Sequence, residues 1–167
     1  MFEVPGYELK TGSGLDRALL TKFMGQTYRE FFPVPDLSVL QRTVEQYFSP
    51  ETPLWWVEPQ SADPPEPSLL PSAVREPVGC LWMGNAVDQV EGDRHAHVFL
   101  LYVAPDHRCR GIGSALMRHA ESWARERGDR RLGLQVFADN AIALHLYESL
   151  GFQVRSLWML KTLEPEP

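Results

Sequence analysis

Cysteine is scarce: Cys80 and Cys109 are the two in 167 residues. That is too few and too unpatterned for a disulfide framework or a zinc site, so a reducing compartment is expected. No apolar stretch approaches the roughly 20 residues that span a bilayer, and the opening Met-Phe-Glu-Val-Pro lacks the basic, then apolar, layout of a signal peptide. These absences predict a cytoplasmic protein with no membrane partner. A basic excess is missing too. At a net charge of −6 the chain lacks the positive surface that nucleic-acid binders use to displace counterions, which argues against a nucleic-acid partner. With 44% hydrophobic residues, the chain fits a single domain over residues 1–167 that buries its own core.

The positive charge that is present is concentrated. Seven of the 13 arginines lie between Arg108 and Arg131, so a locally basic ligand site is compatible with an acidic whole. Arg118, Arg125, Arg127 and Arg130 read as a solvated helix face, whereas Arg108 and Arg110 fall in a turn.

Periodicity orders the rest of the chain. A strand is expected over 7–10, then a helix with Leu15, Leu19 and Phe23 on one face, and an aromatic turn over 31–35. A second helix starts at Asp36 as N-cap and carries Leu37, Leu40, Val44, Tyr47 and Phe48 before Pro50. A strand over 54–58 follows. Residues 59–77 hold six of the 14 prolines, which predicts a surface excursion that cannot donate a hydrogen-bond ladder. Strands over 78–83 and 95–103, separated by a polar loop at 84–94, are expected to pair antiparallel. A helix from Ile112 to Gly128 and a strand with Leu132, Leu134 and Val136 then make a crossover with parallel strands. Asp139 or Asn140 caps a short helix closed by Gly151, and strands at 153–154 and 157–163 end the pattern.

Residues 108–114, Arg-Cys-Arg-Gly-Ile-Gly-Ser, join the 95–103 strand to the helix. Glycines let backbone N–H groups crowd onto an anion, and a helix start adds partial positive charge, so this turn is a phosphate-binding candidate. A mononucleotide loop requires a Lys that is absent. A dinucleotide fingerprint requires a third glycine where Leu116 stands, and an acid about 20 residues on that is also absent.

What remains is Arg-x-x-Gly-x-Gly, preceded by Leu101-Tyr102-Val103-Ala104-Pro105. It is followed at a matching distance by Asn140 and by Leu146-Tyr147-Glu-Ser-Leu-Gly-Phe152. With these motifs the chain resembles the GCN5-related N-acetyltransferase (GNAT) superfamily over roughly residues 95–152. The resemblance implies an α/β (α+β) fold: a mixed, mostly antiparallel sheet whose two central parallel strands splay apart, with helices on both faces. It also implies acetyl-CoA as co-substrate, with no metal, and makes a homodimer plausible. The cleft between 99–103 and 134–137 would take the pantetheine arm, an extended chain of two amides that pairs with open strand backbone as an added strand would. Leu101, Tyr102 and Val103 would line it, Leu101 and Val103 through main-chain groups. Arg108, Cys109, Arg110, Gly111, Ile112, Gly113 and Ser114 would give N–H groups to the diphosphate, helped by the side chain of Arg108 or Arg110. Asn140 would cap its helix and contact the cofactor.

Amine acetylation requires a neutral amine, a polarised thioester carbonyl and a proton for the leaving thiolate. By the resemblance Tyr147 is the acid beside the sulfur, although its position also fits an apolar stripe. Where family members often carry a Glu base, this chain has His97, a residue that titrates near neutrality; His95 and Glu30 are remoter candidates. The H-x-H pair of His95 and His97 could instead seed a metal site, with His107 or Cys109 nearby in sequence, but no carboxylate or second cysteine completes a known spacing. Cys109 needs only its backbone for the phosphate role. The expected function is transfer of acetyl from acetyl-CoA to a primary amine of a small molecule or protein by direct attack in a ternary complex. A non-catalytic acyl-CoA sensor, or transfer of a longer acyl chain, are the alternatives.

Overall fold

The computed structural model describes residues 2–32, 36–60, 76–88 and 90–163. The expected proline-rich excursion lies outside them at 61–75, as does 33–35 of the aromatic turn. The chain divides into two units, Met1–Gln135 and Val136–Pro167.

In the first unit, β1 (Tyr7–Thr11), β2 (Leu54–Pro59), β3 (Gly79–Val87), β4 (Arg94–Val103) and β5 (Leu132–Leu134) form one sheet in chain order. Neighbours are antiparallel except β4 and β5. That pair runs parallel because α3 (Ile112–Glu126) lies between them in the chain and supplies the long crossover that parallel strands require.

Strand alternation puts helices on both faces. Leu54, Trp56, Cys80, Trp82, Leu100 and Tyr102 pack with Leu20, Phe23 and Met24 of α1 (Arg17–Arg29) and with Leu40 and Val44 of α2 (Leu37–Tyr47). Trp55, one residue out of phase, points to the other face and meets His119 and Trp123 of α3 edge-on, at 4.6 and 6.1 Å. Asp36 caps α2 as expected, accepting from the Ser38 N–H at 2.9 Å.

Three expectations need correction. Leu15 is 93% exposed and not part of the buried face. Ser13 and Asp16 form a capping box around a 3-10 turn, Gly14–Asp16, which delays α1 to Arg17 and moves its buried face to Leu20, Phe23 and Met24. Second, the polar loop begins later than Gly84, because β3 runs on to Val87 with Gly84 opposite His97 and Val87 opposite Arg94. Backbone pairing, not side-chain polarity, decides a strand that has a partner. Third, the parallel ladder stops at Leu134, short of Val136.

A register jump in β4 matters most for function. Trp82 pairs with Leu100 and Met83 with Val98, so Phe99 is an extra residue, a β-bulge. Its ring packs on Trp82 (5.0 Å between centroids) and covers Gly84, where an added Cβ would lie 2.0 Å from the ring. Gly84→Ala is therefore expected to lower stability by about 1–3 kcal/mol through overpacking. A thermal melt would show a drop of several degrees, and an unchanged midpoint would mean that the ring is not held there.

In the second unit, Asn140 caps α4 (Ala141–Ser149), its Oδ1 accepting from the Ala143 N–H at 3.1 Å, and Gly151 closes the helix at φ +88°. The strands expected at 153–154 and 157–163 are not formed: residues 152–163 carry neither helix nor strand, and Leu157, Trp158, Met159 and Leu160 are exposed. An apolar, β-prone stretch becomes a strand only through a partner's hydrogen bonds. No helix among the described residues is long and apolar enough to cross a membrane.

Candidate cofactor and active site

The turn after β4 is built to leave donors unpaired. A 3-10 turn, Pro105–His107, ends the strand, then Cys109 adopts φ +59° and Gly111 φ +81°, ψ 0°. Gly111 takes this left-handed backbone freely; Cys109 does so at a cost on the order of 1 kcal/mol, a strain that marks functional turns. Among the described residues, the N–H groups of Cys109, Arg110, Gly111, Ile112, Gly113 and Ser114 find no protein acceptor, whereas the Arg108 N–H, expected to be a donor too, is spent on the Pro105 carbonyl at 3.2 Å. Gly111 brings no capping side chain, so the first turn of α3 keeps its orphan donors and the positive end of the helix dipole. Ile112 is buried and pins this end of α3 into the core.

The two arginines of the turn are both engaged by protein. Arg108 Nε donates to the Val103 carbonyl at 2.9 Å, while its two Nη groups hold the Glu30 carboxylate, one at 3.2 Å. Arg110 donates to the Asp106 carbonyl and to Tyr7 Oη, each at 3.0 Å. Tyr7 Oη lies 2.8 Å from His107 Nδ1, and since it already accepts from Arg110 its own proton is free to point there. Glu30, Tyr7 and His107 thus brace the turn from α1, β1 and the 3-10 turn. The sequence offers His107 only as a neighbour of a possible metal pair and does not assign Tyr7 to the site. No local signal could, because Tyr7 and Arg110 are 103 positions apart.

Beside the turn, β4 presents an open edge. Ala104 N–H donates to Val78 on the β3 side, so by alternation the main-chain groups of Val103 and Leu101 point the opposite way. There the β5 ladder ends at Val98 opposite Leu134, and residues 99–103 pair with no strand among the described residues. The parallel ladder thus ends one residue short of the bulge at Phe99, and β5 is the edge strand of the sheet among the described residues. Tyr102 lies differently from Leu101 and Val103: its ring is in the core, edge-on to Phe23 at 5.1 Å.

His97 sits just before the bulge, half-buried between His95 and Phe99, at 6.3 and 5.7 Å between centroids. Its Nδ1 is buried and has no hydrogen-bond partner. Burial, with a smaller push from His95, lowers its pKa below the ordinary imidazole value, so the neutral, proton-accepting form dominates near pH 7. Gly133 on β5 makes the space: a Cβ there would fall 3.2 Å from His97 Nδ1 and 2.9 Å from His95 Nε2. This glycine went unremarked in the sequence, although a glycine between two strand leucines signals such a close approach.

In the second unit Tyr147 is 8% exposed and packs on Phe152 at 5.7 Å. Burial pushes its phenol up to about 12, so it holds its proton at neutral pH. Among the described residues no group of His, Cys, Asp and Glu side chains could hold a metal ion. Two hollows in the first unit, about 290 and 330 Å³, share Arg94 and contain no residue of the 108–114 turn; the larger reaches His95. An extended ligand lying along an open strand edge does not require a closed hole.

A sequence profile described as the acetyltransferase (GNAT) family matches residues 23–152. The chain is 56% identical over 50 residues to the streptothricin acetyltransferase of Streptomyces lavendulae, a stretch covering 30% of this chain and 26% of the relative. It is 45% identical over 67 residues to the ribosomal protein bS18-alanine N-acetyltransferase of Escherichia coli strain K12, covering 40% of this chain and 45% of the relative. The matched stretches thus span a quarter to under half the length of those relatives. Among solved structures, a Pyrococcus furiosus protein assigned as an acetyl transferase superposes with a TM-score of 0.71 at 26% identity, covering 94% of this chain and 99% of its own. A Clostridium acetobutylicum protein assigned as an acetyltransferase, solved with acetyl-CoA, superposes with a TM-score of 0.72 over 93% of this chain and 96% of its own; at 15% identity that likeness shows the fold alone.

Proposed function

This chain belongs to the acetyltransferase (GNAT) family, and from that premise we propose that it transfers acetyl from acetyl-CoA to a primary amine by direct attack in a ternary complex. The row of unpaired N–H groups from Cys109 to Ser114, held by left-handed Cys109 and Gly111, carries the reading. Those donors would take the diphosphate. The main-chain edge at Leu101 and Val103, open apart from the Val103 carbonyl that Arg108 Nε holds, would pair the pantetheine amides.

In the proposed reaction His97 Nε2 or Nδ1 takes the proton from the amine, directly or through water. The amine nitrogen bonds to the thioester carbon, the C–S bond breaks, and the Tyr147 phenol gives its proton to the sulfur. The products are the N-acetylated amine and coenzyme A, and the proton on His97 matches the one Tyr147 must regain. Asn140, whose Oδ1 caps α4, keeps its amide N–H₂ for the cofactor in this reading. A cytoplasmic location belongs to the proposal, in keeping with the free thiols of Cys80 and Cys109.

The names of the two relatives point to acceptors as different as streptothricin and an alanine of ribosomal protein bS18. The test is incubation of the purified protein with labelled acetyl-CoA, a panel holding antibiotic amines and peptide N-termini, and a host extract. A labelled amine is expected. Tight coenzyme binding with no labelled amine would overturn the enzyme reading in favour of a sensor. In the same assay Tyr147→Phe is expected to lower kcat about tenfold, a modest share of acid catalysis because a thiolate leaves readily, with KM for acetyl-CoA little changed. An unchanged kcat would remove Tyr147 from the acid role.

A further inference from the structure

Glu30 is the C-cap of α1, and the connection to α2 follows it directly. Its carboxylate is held by both Nη groups of Arg108, whose Nε is separately anchored on Val103. Only the outer edge of the guanidinium is therefore exchangeable. The pair lies at the rim, with side-chain exposures of 28% for Arg108 and 36% for Glu30, within reach of solvent and of any ligand on the turn. That outer edge is a planar fork suited to carboxylate and phosphate alike.

We propose that Glu30 is the exchangeable counter-ion of the turn: it neutralises Arg108 while the turn is empty, and the coenzyme's diphosphate takes that edge from it. The proposal rests on reading residues 108–114 as the diphosphate turn. A diphosphate brings two charges and also satisfies the unpaired N–H groups nearby, whereas Glu30 brings one charge and satisfies none of them. Once the diphosphate is present, a carboxylate at the same guanidinium is repelled. Filling the turn then frees a carboxylate at the head of the α1–α2 connection, so the cofactor's arrival is felt on the element next to it. The two arginines of the turn differ in this respect, because the partners of Arg110, a phenol and a carbonyl, carry no charge for a phosphate to repel.

Calorimetry with coenzyme A decides it. Glu30→Gln keeps the shape and removes the charge, and is expected to bind coenzyme A about tenfold more tightly, the scale of one partly exposed charge screened by solvent. Glu30→Asp should bind as wild type does. In an Arg108→Gln background, Glu30→Gln should leave affinity unchanged, because no guanidinium remains to be contested. Equal or weaker binding by Glu30→Gln overturns the proposal. So does a gain of the same size in the Arg108→Gln background, which would show a general effect of Glu30 on the fold or the field. Failure of the wild-type protein to bind coenzyme A is a separate result and counts against the diphosphate turn itself.

Discussion

Gly111→Val is expected to reduce coenzyme A affinity at least about 100-fold while the protein stays folded. At φ +81° the new residue is strained whatever space it has, and β-branched Val pays on the order of 1–3 kcal/mol there. Within the protein a Cβ at this position meets nothing within 4 Å, so no core packing is lost. The damage falls on the ligand side. An N–H···O bond closes only near 2.9 Å, and a branched side chain at the head of α3 holds a phosphate beyond that distance or forces the turn open. Calorimetry with coenzyme A and a thermal melt would separate the two effects. Cys109→Gly is the informative partner, since it relaxes a strained φ of +59° and should bind at least as well as wild type. A Gly111→Val protein that binds coenzyme A nearly normally would mean that the diphosphate lies elsewhere.

The second large effect is expected at His97. His97→Gln should lower kcat about 100-fold, the lower end of what a positioned base contributes, with coenzyme A affinity unaltered because the turn and the β4 edge are untouched. The pH dependence carries the sharper signature. Burial lowers the His97 pKa, so the imidazole stays neutral to a lower pH than a free histidine and fails as a base only when protonated below that point. With an amine of known pKa, kcat/KM should therefore show an acid limb below the ordinary histidine value of about 6.5, and His97→Gln should lose that limb. Stability has the same sign. Between the lowered value and the unfolded one the unfolded chain binds more protons, so the native state loses stability as pH falls through that window, and His97→Gln should be flatter there. A variant with kcat within about threefold of wild type would exclude His97 as the base.

Much of the frame was legible because it is local. Asp36 and Asn140 cap the helices they precede, and a side-chain oxygen three or fewer residues from its donor can be read from spacing alone. The 95–103 strand, the glycine turn and the long helix after it were legible for the same reason, as period 2, punctuation and period 3.6 in succession. What was misread depended on partners. Leu15 fitted a helical stripe, but a capping box began the helix elsewhere. Gly84 looked like loop until β4 lay beside it, and the apolar residues from 154 to 163 had the composition of a strand without the ladder. The site divides in the same way. Its donors are six consecutive residues, whereas its braces, Tyr7 and Glu30, are 103 and 78 positions from the arginines they hold.

The order of residue types along the chain determined that a glycine-flanked helix start would follow a buried strand and leave its N–H groups unpaired, since backbone reach and helix polarity act over a few residues. Only tertiary structure decided that both arginines of that turn are already held by protein groups, that Phe99 bulges out over a bare glycine, and that His97 rests above Gly133 with one nitrogen unpartnered. Charge pairing and desolvation depend on distances through space, and those distances exist only once remote segments have packed.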